Sequence, residues 1–187
     1  IIKENRQKQD DKIEVATANG ISLYKREIEL KKDLSMMVFK LDEKDAYKDV
    51  IKGLAKNKVL YKMAEEEGLA LTMEEALEAS LLQKDMVQQD EKALENMNSY
   101  IKALGLTEDQ YWTEYHVIET QQYLSIEKLK ESIANEGIEQ GILPKVKIHT
   151  KETSKLYKDY IDKEINEIED NIVIEFIDEQ YEEKFNN

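Results

Sequence analysis

The sequence predicts a mainly α-helical protein: a helical core with a small two-stranded sheet made by strands near the two ends of the chain. Three observations carry that expectation. Charged residues make up 36% of the 187 positions, against one proline and six glycines, a composition rich in helix formers and poor in helix breakers. Apolar residues recur at helical spacing through most of the chain. Two capping-box patterns, Thr72-Met73-Glu74-Glu75 and Thr107-Glu108-Asp109-Gln110, mark helix starts, because the hydroxyl and the residue three positions on satisfy each other's orphan amides.

Residues 1–12 hold seven charged side chains and no apolar period, which reads as a flexible, charged tail or tether. The alternation from Ile13 to Ala18 runs into Asn19-Gly20, the signature of a short strand ending in a tight turn. Ser22 is then expected to cap an amphipathic helix from about Leu23 to Leu41, striped by Leu23, Ile28, Leu30, Leu34, Met37, Val38 and Leu41. A second helix is expected from about Asp42 to Glu67, with Val50, Ile51, Leu54, Tyr61 and Ala64 inward. Gly68 stands at its C′ position, and Gly53 is a weak spot inside it.

The Thr72 box opens a helical pattern that reaches Leu104 and stops at Gly105, with a break expected at the polar patch Gln88-Gln89-Asp90. The Thr107 box opens another, carrying Tyr111, Tyr115, Ile118, Leu129 and Ile133 to about Ala134. Residues 135–150, with Gly137, Gly141 and the single proline Pro144, read as a linker. A helix with Leu156, Tyr157, Tyr160, Ile161 and Ile168 follows, then the alternation Ile172, Ile174, Phe176. The expected organisation is thus a tail over 1–12, a helical domain over 13–134, a linker over 135–150, and a C-terminal helix and strand over 151–187 packing back on that domain. Neither short strand is stable alone, so Ile13–Ala18 is expected to pair with Ile172–Ile177, within a monomer or across a strand-swapped dimer.

The chemistry offered by the side chains is narrow. With 27 basic against 41 acidic residues the net charge is −14, which argues against nucleic acid as a partner, since phosphate binding needs a basic face. There is no cysteine, hence no disulfide or thiolate site, and no run of apolar residues long enough to span a bilayer. His116 and His149 lack a partner at the spacing of a helical metal site, and the runs Glu65-Glu66-Glu67 and Glu182-Glu183 read as solvated faces. No phosphate-loop, dinucleotide, nucleophile-elbow or calcium-loop pattern occurs, so no catalytic residue, metal or cofactor is expected.

A resemblance adds to this. Val15-Ala16-Thr17-Ala18-Asn19-Gly20-Ile21-Ser22 before a helix resembles the opening of the N-terminal domain of SurA- and PrsA-type extracytoplasmic chaperones. Val50 to Thr72, with Leu54, Val59-Leu60, Ala64 and Gly68-Leu69, looks like that family's second helix and the turn into its third. Leu104-Gly105-Leu106-Thr107-Glu108-Asp109-Gln110-Tyr111-Trp112 looks like the approach to one of its later helices. The likeness covers about Ile13 to Ile133. In that family a parvulin prolyl-isomerase domain normally follows; residues 135–150 occupy its insertion point and are far too few to form one.

The resemblance implies a chaperone that binds unfolded or extended polypeptides without isomerase activity. A helical scaffold or adaptor for one defined partner is the alternative. It also implies an extracytoplasmic, cell-surface or membrane-anchored location in a bacterium, with the charged tail as a spacer to an anchor upstream of Ile1; a cytoplasmic location is the alternative. Methionine is flexible enough to repack around varied partners. An apolar groove lined by some of Met36, Met37, Phe39, Met86, Met97, Tyr111, Trp112 and Tyr115 is therefore the expected client site. The same residues read equally as core filler.

Overall fold

A computed structural model describes residues 12–148 and 150–186; the expected tail, except Lys12, and His149 lie outside the described residues. In chain order the elements are β1 (Glu14–Ala18), β2 (Ile21–Tyr24), α1 (Lys25–Phe39), α2 (Glu43–Glu66), α3 (Met73–Gln88) and α4 (Glu91–Leu104). A short α5 (Glu108–Gln110) leads through a π-helical turn (Tyr111–Tyr115) into α6 (His116–Glu139). Then come α7 (Lys151–Asp170), β3 (Ile174–Phe176) and α8 (Glu179–Asn186). The fold is mainly α with one small antiparallel sheet.

The chain forms two compact units. One comprises the described residues up to Leu60 together with those from Asp162 onward, and the other is Tyr61–Ile161; the chain passes between them inside α2 and α7. Where a single helical domain over 13–134 was expected, the division thus falls within a helix, at a place no composition shift marks.

In the first unit the sheet has the order β2-β1-β3. Asn19 and Gly20 both take positive φ, 49° and 79°, the requirement of a two-residue hairpin turn whose twist matches its strands. β1 therefore pairs back on β2, with Ala18 opposite Ile21 and Thr17 opposite Ser22. This corrects the two-stranded expectation. Ser22 belongs to the ladder and does not cap a helix; α1 begins at Lys25 behind Tyr24, which makes no side-chain cap bond. The pairing of the chain ends is as expected: Ala16, Thr17 and Ala18 lie opposite Phe176, Glu175 and Ile174, antiparallel. Val15, Ala16, Ala18 and Leu23 are fully buried, together with Ile28 of α1 and Ile51 of α2.

α8 was not anticipated. Asp178 starts it by accepting the Gln180 amide at 2.9 Å, and Tyr181, buried at 3% exposure, anchors it edge-on to Tyr47 of α2, ring centroids 6.1 Å apart.

In the second unit both capping boxes form in full, at Thr72/Glu75 and at Thr107/Gln110. The break after α3 lies where the polar patch put it, with Asp90 capping α4 through the amides of Lys92 and Ala93. Gly68 and Gly105 close α2 and α4 with φ of 72° and 70°. α6 runs to Glu139, five residues past the expected Ala134, so the connection is shorter than the 135–150 assigned to it. The reason is packing. A Cβ on Gly137 would stand 2.7 Å from Tyr160 of α7, so this glycine serves close helix approach, not a turn.

Candidate functional site

The eight residues expected to line a groove fall into three environments. Tyr111 and Trp112 are core, each 3% exposed, and with Ile101 they form a cluster against which Met97, Tyr100 and Tyr115 pack. Of the two readings open for Tyr111 and Trp112, groove lining or core, their burial is that of core. They sit on the π-helical turn, where the His116 N–H reaches back to the Tyr111 carbonyl, one residue beyond α-helical register. The Tyr111 ring lies edge-on to Trp112 at 4.9 Å and stacks on Tyr115 at 5.8 Å. Burial pushes the phenols of Tyr111 and Tyr115 up, with Glu119 adding to it.

A strut crosses from α3 to this turn. The Ser80 hydroxyl, fully buried, donates to the Trp112 carbonyl at 2.7 Å and lies 2.9 Å from His116 Nδ1; Thr120 Oγ1 is 3.1 Å from the same nitrogen. With its single proton on Trp112, Ser80 offers a lone pair to a proton on Nδ1, so a neutral His116 protonated there fits the network. Burial lowers the His116 pKa, against the upward pull of Glu119. Although serine and histidine are in hydrogen-bond reach, the serine proton is committed to a backbone carbonyl out of reach of solvent. The pair holds α3 and α6 together.

Met37 and Phe39 are the second environment. They end α1 at 58% and 70% exposure, beyond a half-buried Met36 and just before Lys40, whose φ of 55° turns the chain. Apolar side chains at such exposure forgo burial worth roughly 25 cal/mol per Å².

Met86 is the third, exposed at 63% beside Leu82, equally exposed one turn earlier on α3. Four residues apart, the two share a face. Leu82 escaped the sequence reading, although its spacing to Met86 on an otherwise polar face was the available signal. The expected groove is therefore resolved into two exposed apolar edges, one in each unit, and an aromatic core.

A polar cluster lies elsewhere, in the first unit. Glu29 of α1 accepts hydrogen bonds from the hydroxyls of Tyr47 at 2.7 Å and Tyr181 at 2.6 Å, with the Lys32 ammonium at 3.2 Å. Burial would raise its pKa, but these donors outweigh it and hold the carboxyl below the ordinary range. The Lys184 ammonium sits 4.3 Å over the Tyr47 ring. An open cavity of about 500 Å³ beside Tyr47 and Lys184 is rimmed by Glu43, Lys44 and Glu183, a mixed-charge lining with no single ligand sign. Among the described residues no cluster of three metal-ligating side chains occurs, and no helix is long and apolar enough to cross a membrane.

No family model, curated protein or solved structure matches the chain.

Proposed function

We propose that this protein is a chaperone that holds unfolded or extended polypeptides at exposed apolar side chains, without prolyl-isomerase activity, and that it works outside the cytoplasm. The observation that carries the reading is the exposure of Met37 and Phe39 at the end of α1 and of Leu82 and Met86 on α3, on a chain of net charge −14. Flexible apolar side chains bind varied sequences because burial is non-directional, and a high net charge keeps a molecule with such patches soluble. The ordered likeness to SurA- and PrsA-type chaperones over about 13–133 supports the same reading, and the extracytoplasmic location rests on that likeness alone.

The test is aggregation of two unrelated, chemically unfolded proteins followed by light scattering. The chain is expected to suppress both near equimolar ratio, and Met37→Ser with Phe39→Ser to weaken suppression at an unchanged melting temperature. Protection of neither protein, with tight capture of one folded partner instead, would replace the chaperone by an adaptor. Recovery of the native protein from the cytosol of intact, protease-treated cells would defeat the location.

A further inference from the structure

β3 is an edge strand with an unusual exposure. Among the described strands only β1 pairs with it. The Asn19 amide donates to Val173 O and the Ile177 amide to Val15 O, each at 2.9 Å. Those bonds make 173, 175 and 177 the positions whose backbone groups face β1. By the alternation of an antiparallel ladder, the N–H and C=O of Ile174 and Phe176 point away from β1, to the outer edge.

On one face of the strand Ile174 and Phe176 are half-buried, and an open cleft of about 320 Å³ is lined by Ile172, Ile174 and Phe185 with Ala55 of α2. On the other face Val173 and Ile177 are 61% and 60% exposed, flanking the exposed Glu175. An edge whose outward backbone groups pair with no described strand, with apolar side chains on both faces, is a template for strand addition.

The charge around it selects the occupant. From Glu169 to Glu183 there are seven acidic residues and no basic one. Lys56 neutralises Glu169 across 2.6 Å and Lys52 stands at the cleft wall, which leaves Asp170, Glu175 and the acids opening α8 to set the field. A second copy of this chain pairing edge to edge would bring these acidic segments together, at a repulsive cost; a basic strand would be drawn in.

We propose that the outer edge of β3 takes an extended segment of a client polypeptide, alternating basic and apolar residues, as a fourth strand, with one apolar side chain in the cleft. This rests on the chaperone reading and adds where and what kind of segment is held. The Ile174 and Phe176 backbones supply sequence-independent hydrogen bonds, while the cleft and acidic rim supply the preference.

The probe is a short fluorescein-labelled peptide alternating lysine with valine and leucine, and a control with glutamate for lysine. Anisotropy is expected to show the lysine peptide binding about tenfold or more tighter than the control, and weakening as salt rises. Amide exchange in the full chain is expected to slow at Ile174 and Phe176 when the peptide saturates. Val173→Lys with Ile177→Lys should lower affinity by about tenfold at unchanged melting temperature. Ile174→Pro should do the same, since it removes an outward N–H and no ladder bond. Unchanged exchange at 174 and 176 with peptide bound, undiminished affinity in both variants, or a dimer filling the edge in sedimentation would each overturn the proposal.

Aggregation assays on the same proteins keep the two readings apart. Full suppression by the lysine variant at concentrations where its weakened β3 edge no longer takes up the peptide would sink the edge as the client site and leave the chaperone standing. Peptide protection of Ile174 and Phe176 without any suppression of aggregation would sink the chaperone and leave the edge as a peptide site.

Discussion

At the scale of the residue, burial separates side chains that look alike in sequence. Trp112 and Met86 were both candidates for the lining of one groove. Trp112 is 3% exposed and Met86 63%, so Trp112→Ala is expected to cost about 3–5 kcal/mol and Met86→Ala less than about 0.5 kcal/mol in urea unfolding. Equal costs would mean that the aromatic cluster is not core. Thr17 gives an opposite sign. Its hydroxyl is the buried side-chain polar atom without a hydrogen-bond partner among the described residues, on a strand where valine fits the pleat. Thr17→Val is expected to stabilise by about 1 kcal/mol, and a destabilisation of that size would show that the hydroxyl has a partner. Neither contrast was legible in the sequence, because whether a side chain meets water depends on what packs over it.

At the scale of the element, two glycines that lie within helices, Gly53 of α2 and Gly137 in the last turn of α6, diverge. Gly53 of α2 has open space where a Cβ would go, so Gly53→Ala is expected to raise stability by about 0.5–1 kcal/mol through helix propensity. At Gly137 a Cβ would stand 2.7 Å from the Tyr160 ring, so Gly137→Ala is expected to cost about 1–3 kcal/mol. Thermal unfolding of the pair checks both. The joint between α3 and α6 carries a pH dependence. His116 has its folded pKa below the unfolded value because burial opposes its charge. Its contribution is complete above the unfolded value of about 6.5 and is lost as pH falls through the folded one. The urea midpoint is therefore expected to drop as pH falls below about 6.5, and His116→Gln to remove that part of the drop. A midpoint flat over this range in the native sequence would mean that the imidazole is not buried.

At the scale of the whole molecule, residues 13 and 177 frame a closure of the chain on itself: the Asn19 side chain accepts the Val173 amide at 2.9 Å, 154 positions away. Glu29 reinforces that closure by receiving Tyr181 from the last helix and Tyr47 from α2. Its depressed pKa means stability that is full above the ordinary carboxyl range of about 4.3 and lost as pH falls through the folded value. Glu29→Gln is expected to cost about 1–2 kcal/mol at neutral pH and to make acid unfolding below about pH 5 less steep. An unchanged acid limb would place that linkage on other carboxylates.

What the sequence determined by itself is the set of features closed within four or five residues. The Thr72 and Thr107 caps, the Asn19-Gly20 turn, the stops at Gly68 and Gly105 and the break at Asp90 all complete their hydrogen bonds locally, so the residue types alone announce them. The pairing of β1 with β3 was also readable, since a short strand alone leaves its backbone unpaired, whereas the second partner of β1, β2, was not. Only the tertiary structure decided the rest. Ser22 looked like a cap and became a strand because Thr17 was across from it. α8 has few apolar residues and holds through Tyr181 against partners from α1 and α2, and the π-helical turn places its Trp112 carbonyl against a serine from another helix. The expected groove divided for the same reason: periodicity shows which side chains share a face, and only packing between distant segments decides whether that face is buried or left open.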